Sequence, residues 1–209
     1  KNVREHLTLP IFPATGPGGM TNASTQPAAT DATRTIEVNE KPQELYFAYG
    51  SNMNLNQMAF RCPDAQVVDT VRLEGYRLAF RMNGGGHGVA TILPEPGSFV
   101  DGVLWRISER DEQSLDHYEG FPRLYGKEPV TVVDPDGLKR EVMAYTMNSP
   151  YKDAPALPSQ SYLSGILHGC RQNGIEIESV LDAVWRTQRD THHKVLPRKK
   201  PRQKNGEER

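Results

Sequence analysis

Glu119, in the run Asp116-His117-Tyr118-Glu119-Gly120, stands where a predicted helix ends, with Tyr118, Phe121 and Tyr125 around it. A carboxylate at a helix C-terminus meets the negative end of the dipole, and partial burial penalises its charge again; both effects raise its pKa. A group that titrates near neutrality can accept a proton and return it, which is general acid–base work. Most glutamates are merely solvated surface groups, so this one needs a partner. Tyr49-Gly50-Ser51-Asn52 offers it. A strand runs into a glycine turn and then a helix start, where glycine lets the backbone turn sharply. Successive N–H groups at such a turn make a cradle for a carboxylate or phosphate. Taken alone, the tetrapeptide is also what any strand-to-helix turn looks like.

Other chemistry-bearing residues carry less. The loop GGGHG, residues 84–88, lacks the Lys-Ser/Thr of a nucleotide loop and opens no clear helix, so it reads as a mobile loop. His117 and the pair His192-His193 assemble no set of three metal ligands and read as solvated side chains. Ser51 is not in a G-x-S-x-G elbow, which leaves a triad hydrolase without support. Cys62 and Cys170, the 2 cysteines of the chain, make no disulfide framework. They read as reduced thiols in a cytoplasmic protein. No metal and no cofactor is expected.

The elements that must position Glu119 and the glycine turn follow from periodicity and punctuation. LYFAY, from Leu45, is a nearly continuous apolar run suited to a buried strand. Asn54 to Phe60 forms a short helix stopped before Pro63. Val67 to Arg81 reads as one long or two short strands around Glu74-Gly75. Val89 to Leu93 is another strand, and Val103, Trp105 and Ile107 alternate as a half-buried strand would. Ser108 with Asp111 opens a capped helix running to about Tyr118. Glu128–Val133, the turn Asp134-Pro135-Asp136-Gly137 and Arg140–Tyr145 make a hairpin.

Two helices close the domain. Ser159 caps one whose apolar positions are Tyr162, Leu163, Ile166, Leu167 and Cys170, ended by Asn173-Gly174. The other sets Ile177, Val180, Leu181, Val184 and Trp185 on one face. Roughly six strands lie early and the longer helices late, which predicts an α+β fold with a mixed or antiparallel sheet.

Composition sets the bounds. The chain has 209 residues, 36% hydrophobic and 24% charged, the size of one domain with surplus chain. A mean hydropathy of −0.63 implies that part of it never packs. No run approaches the ~18 apolar residues of a membrane-spanning helix, and the first 17 residues hold no continuous apolar stretch of the kind a secretory signal needs. Residues 1–43 are rich in Pro, Gly, Thr, Ala and Asn and read as a disordered leader. Residues 44–185 read as the folded domain and 186–209 as a basic, disordered tail. The net charge of −1 hides a tail of +6 and a remainder of −7.

LYFAYGSNM, GVATILPEPGSFVDGVLWRI, SLDHYEG and EVMAYTMNSPYKDAPALPSQSYL, in that order, resemble the gamma-glutamylcyclotransferase family over about residues 44–185. The resemblance implies a small mixed, barrel-like β-sheet with helices packed around it, and no cofactor. It implies that Tyr46, Phe47, Ala48, Tyr49, Gly50, Ser51 and Asn52 cradle a γ-glutamyl α-carboxylate through backbone N–H groups. Glu119 matches the family's acid/base, Tyr162 a substrate-contacting tyrosine, and Tyr125 an aromatic lining the cavity. The step from Glu119 to Tyr125 is one residue shorter than in animal members. The implied reaction is intramolecular: the α-amine of a γ-glutamyl group attacks its own γ-carbonyl, releasing an amine and 5-oxoproline.

The resemblance leaves the leaving group open. A γ-glutamyl-amino acid is the first choice, and a γ-glutamyl-amine or a carrier-linked γ-glutamyl group the alternative. Enzymes acting on glutathione carry a different glycine-turn motif. Two other classes compete: a non-catalytic interaction module, and a nucleic-acid-binding or targeting role for the basic residues 186–209. A solvated tail is the preferred reading of those charges.

Overall fold

The computed structural model describes residues 43–195; the leader 1–42 and residues 196–209 lie outside the described residues, as do expectations that fall on them. Five strands, β1 (Gln43–Ala48), β2 (Gln66–Met82), β3 (Gly88–Ser108), β4 (Tyr125–Val133) and β5 (Lys139–Met147), close into a barrel in the order β1-β3-β2-β4-β5. All neighbours are antiparallel except β5 and β1, which run parallel with Tyr46 opposite Met143. The helices are α1 (Leu55–Arg61), α2 (Glu109–Glu119), α3 (Gln160–Gln172) and α4 (Glu178–Val195). The expected α+β, mixed barrel-like architecture is what is found.

Five strands stand where six were expected, because Val89–Leu93 and Val103–Ile107 belong to one strand, β3. The sequence between them, residues 94–102, opens with Pro94-Glu95-Pro96-Gly97, and proline brings no N–H to a ladder. In the barrel this stretch is absorbed as an irregularity: pairing with β2 shifts between Glu74 and Tyr76, where Gly75 has φ 78°. Long strands can wrap a barrel only by bending, and bulges supply the bend. β2 likewise stays one strand through Glu74-Gly75.

Inside, Phe47, Leu73, Phe80, Val100, Val103, Leu104, Ile107 and Val132 are fully buried, joined by Leu115 of α2 and Ile166 of α3. Each such side chain contributes ~1.5–3 kcal/mol by leaving water. α2 starts on the expected cap, Ser108 and Asp111 bonding reciprocally to each other's backbone, and ends on Gly120 with φ 65°. The turn after β4 closes through the Asp134 carboxylate, which accepts from the N–H groups of Asp136 and Leu138 at 3.2 and 2.8 Å.

α4 departs from expectation twice. It runs through the boundary set at 185 to Val195, so residues 186–195, expected to be disordered tail, are helical. Its buried positions are Val180, Ala183 and Thr187, while Leu181 is 39% and Trp185 72% exposed. Thr187 escapes an apolar reading, yet its hydroxyl donates to the Ala183 carbonyl at 2.7 Å and leaves its methyl for packing. Arg186 is neutralised by Glu95 and Asp182, at 2.9 and 2.6 Å. No helix among the described residues is long and apolar enough to cross a membrane.

Candidate active site

The chain leaving β1 does not continue as a strand. Ser51–Met53 forms a single 3-10 turn, and Asn54 then caps α1, its side chain accepting from the N–H groups of Asn56 and Gln57, both at 3.1 Å. α3 holds this segment from behind. The Asn173 amide donates to the carbonyls of Met53 and Gly169 at 2.8 and 2.7 Å, and Gln172 accepts from the N–H of Leu55 at 2.9 Å. The two backbones approach so closely that a Cβ on Gly169 would sit 2.8 Å from the Asn54 nitrogen. The turn is therefore rigid.

A cavity of about 320 Å³ opens beside it, at the small end of the ~300–1,000 Å³ typical of ligand pockets. Gly50, Ser51 and Asn52 line one part, Glu119 another, and six tyrosines (46, 49, 118, 125, 145 and 162) supply most of the rest. Val89, Ala90, Leu124 and Asn83 complete the wall. The opening turn of a helix leaves its first N–H groups without partners inside the helix, so the 50–52 turn and the carboxylate share one hollow. At Gly50 the constraint is room rather than an unusual φ, since a side chain would crowd Ala90. Its φ of −124° is open to any residue, but a Cβ there would lie 3.1 Å from that of Ala90 and 3.6 Å from the Tyr162 hydroxyl.

Glu119 is the last residue of α2 and half-buried. Burial pushes its carboxyl up to about 7, against the pull of a hydrogen bond from Asn52 and the Arg61 charge. The Asn52 amide is fully committed. Its N–H groups donate to Glu119 at 2.9 Å and to the Tyr46 hydroxyl at 2.8 Å, while its oxygen accepts from Arg61 at 2.6 Å. Its backbone carbonyl takes the Trp105 indole N–H at 3.1 Å. Arg61 also donates to Gln57 and to the Tyr118 hydroxyl, each at 2.7 Å, and Tyr118 lies 3.2 Å from the Ser51 hydroxyl. One guanidinium thus orients both the amide facing Glu119 and the tyrosine beside it.

The tyrosines are largely occupied. Tyr125 donates to the Ala90 carbonyl at 2.5 Å, and Tyr162 accepts from the Ala90 N–H at 3.1 Å, so the two pin opposite sides of one residue of β3. Tyr49 donates to the Tyr145 carbonyl, and Tyr145 donates to Asp116 at 2.5 Å. Burial, reinforced by the neighbouring Glu119 charge, holds the hydroxyls of Tyr46, Tyr49, Tyr125 and Tyr162 protonated well above their ordinary range.

Of the residues singled out in the sequence, Tyr46, Tyr49, Gly50, Ser51, Asn52, Glu119, Tyr125 and Tyr162 come together around the cavity; Phe47 and Ala48 do not. Both are fully buried in the core, and the Phe47 ring covers Gly102 of β3, where a Cβ would lie 2.5 Å from it. Phe121 is 40% exposed and lines nothing in the cavity. Arg61, Tyr145 and Asn83 escaped the sequence reading. Only Arg61 carried a signal, as a cation one helical turn beyond Gln57 on a helix starting at the glycine turn. Among the described residues no group of three His, Cys, Asp or Glu is placed to hold a metal ion.

A closed barrel with a rigid glycine turn and a neutral-range carboxylate sharing one hollow defines an enzyme built around a small polar substrate. Residues 46–164 match the family described as gamma-glutamyl cyclotransferase, AIG2-like. The chain is 34% identical to the gamma-glutamylcyclotransferase of Homo sapiens over 141 residues, which span 64% of this chain and 73% of the relative. It is 35% identical to that of Mus musculus over 149 residues, 67% of this chain and 78% of the relative. A solved gamma-glutamyl cyclotransferase structure superposes with a TM-score of 0.59 at 29% identity, over 79% of this chain and 93% of that one. The chain belongs to the gamma-glutamyl cyclotransferase family and is an enzyme of that type.

Proposed function

We propose that this cavity closes a γ-glutamyl group on itself, releasing 5-oxoproline and a free amine, with Glu119 moving the proton. The observation that carries the reading is the enclosure of the Glu119 carboxyl, titrating near 7, in the same hollow as the Gly50–Asn52 turn. The turn's N–H groups take the α-carboxylate of the substrate, and the tyrosine wall keeps the chain bent. Holding amine and carbonyl at ~3 Å makes effective molarities of roughly 10⁵ M or more available to ring closure.

The substrate's α-amine must lose a proton before it can attack. That amine is an ammonium at neutral pH, and each unit by which the pKa of the accepting carboxyl rises lowers the cost of taking its proton by about 1.4 kcal/mol. With its carboxyl near 7 rather than 4.5, Glu119 takes the proton about 3 kcal/mol more cheaply than an ordinary glutamate would. The amine then forms the new C–N bond to the γ-carbon, the old C–N bond breaks, and the second proton that the ring nitrogen sheds passes to the departing amine, which leaves as its ammonium. The departing nitrogen takes the proton back from the Glu119 acid, which regenerates the carboxylate. Tyr162 accepts from Ala90 and keeps its own O–H free for the substrate.

The test is incubation with a panel of γ-glutamyl compounds, reading 5-oxoproline by mass. Glu119→Gln keeps the shape and removes the proton carrier, so kcat falls ~10²–10⁴-fold with KM little changed. A Gln variant keeping a tenth or more of the wild-type kcat removes Glu119 from this role.

A further inference from the structure

We infer that Asn83, at the β2–β3 turn, selects the leaving group by donating from its side-chain amide to the carboxylate of a departing amino acid; the inference rests on the cyclotransferase reading above. Asn83 lines the cavity and is half-buried. Its side-chain oxygen accepts from the N–H groups of Gly85 and His87, both at 3.0 Å, and its backbone closes the turn with His87 and Gly86. Both contacts are backbone donors, so the atom facing them must be the oxygen. An amide is planar, with its nitrogen on the opposite side from its oxygen. The NH₂ group is thereby turned away from the loop, and it donates to no acceptor among the described residues. The loop fixes the orientation of an amide whose residue lines the cavity and whose NH₂ group is uncommitted.

The rest of the wall narrows what that donor can serve. No Lys, Arg or His lines the cavity. The amide of Asn52 and the hydroxyls of Tyr49, Tyr125 and Tyr145 are spent on protein acceptors. The Gly50–Asn52 N–H groups are assigned to the glutamyl end. A second carboxylate, the one a released amino acid carries and a simple amine lacks, would otherwise meet Val89, Leu124 and hydroxyls such as those of Tyr46 and Tyr162, each with a single hydrogen to give. Asn83 answers that charge with two N–H hydrogens and no charge of its own. The preferred substrates are then γ-glutamyl-amino acids rather than γ-glutamyl-amines.

Asn83→Asp is the informative change. Aspartate keeps the oxygen that caps Gly85 and His87, so the turn survives, but a carboxylate oxygen replaces the donor. The probes are γ-glutamyl-alanine and γ-glutamyl-propylamide, which differ mainly in the leaving-group carboxylate, with 5-oxoproline as the readout. Wild type should favour the alanine compound in kcat/KM by tenfold or more, chiefly through KM. In Asn83→Asp that preference should fall at least tenfold, and in Asn83→Ala by a smaller factor. A preference that is unchanged, or a wild type that never had one, overturns the inference while leaving the cyclotransferase reading intact. Equal losses on both substrates also overturn it, since they mark damage to the wall. Failure of wild type to release 5-oxoproline from either compound sinks the underlying reading and this inference with it.

Discussion

The hydrogen bond from Asn52 to Glu119 should be visible in the pH dependence of turnover. At 2.9 Å it favours the charged carboxylate and holds its pKa below the level that burial alone would set. Bonds to charged groups are worth ~1.5–3 kcal/mol, and one pKa unit is ~1.4 kcal/mol. Asn52→Ala should therefore raise the Glu119 pKa by roughly 1–2 units from its value of about 7. The proposed mechanism needs the carboxylate form, so on that mechanism the rate climbs with pH through that pKa, and the variant's rise is displaced to higher pH.

The assay compares kcat/KM of the two proteins on one γ-glutamyl-amino acid from pH 5 to pH 10. Titration of the substrate's own amine cancels in the ratio. Wild type over variant should reach a plateau of ~10–100 below about pH 6 and fall towards its floor above about pH 9, the plateau being ten raised to the pKa shift. Lost packing lowers the rate by the same factor at every pH. A flat ratio, or a wild-type profile rising near pH 4.5 rather than near 7, would refute the assigned role of this bond.

Two further outcomes follow from the same geometry. Because burial raises the folded-state pKa of Glu119 above its ordinary 4.5, the charged form destabilises the fold above pH 7. The folded protein takes up this proton first as pH falls from 7 to 4.5, and below that both states hold it. Glu119→Gln should accordingly raise thermal stability at pH 8 by up to about 3 kcal/mol and leave it unchanged at pH 4; equal melting temperatures at pH 8 would contradict the burial argument. Gly169→Ala should destabilise by ~1–3 kcal/mol despite alanine's better helix propensity, because its Cβ would sit 2.8 Å from the backbone of Met53 and Asn54. Calorimetry showing a gain would mean that α3 does not clamp the turn.

How much of this was legible beforehand depends on how local each signal is. The Ser108–Asp111 cap, the Asn173-Gly174 stop and the Asp134–Gly137 turn are each written within a few residues, and each stands as read. Strand β3 was cut after Leu93 because the barrel's need for a bend there is a property of closure, which local punctuation cannot express. Of the face expected for α4, Ile177 just before the helix and Val180 and Val184 within it pack against the core, but its edge was set wrongly at Leu181 and Trp185. Leu181 and Trp185 are the more apolar choices, but the stripe of Val180, Ala183 and Thr187 is the one α4 buries.

The site divides along the same line. Gly50, Asn52 and Glu119 could be named because a turn and a helix end place them, whatever the barrel does. Phe47 was named with the whole run that the family resemblance implies, but successive residues of a strand point to opposite faces, and only the partner strand shows which face holds the cavity. Arg61 is the instructive omission. In sequence it is one more cation on a short helix, and its weight comes from bonding Asn52, Gln57 and Tyr118 at once. Two of those partners flank Glu119, one through its amide and one as its neighbour in α2. What moderates the burial-raised proton affinity of the carboxyl is thus a contact between the segment after β1 and the end of α2, brought together because β1 and β3 pair and α2 follows β3 directly. The glycine turn and the glutamate, 67 residues apart on either side of Asn52's bond, function as one unit only once the barrel has closed.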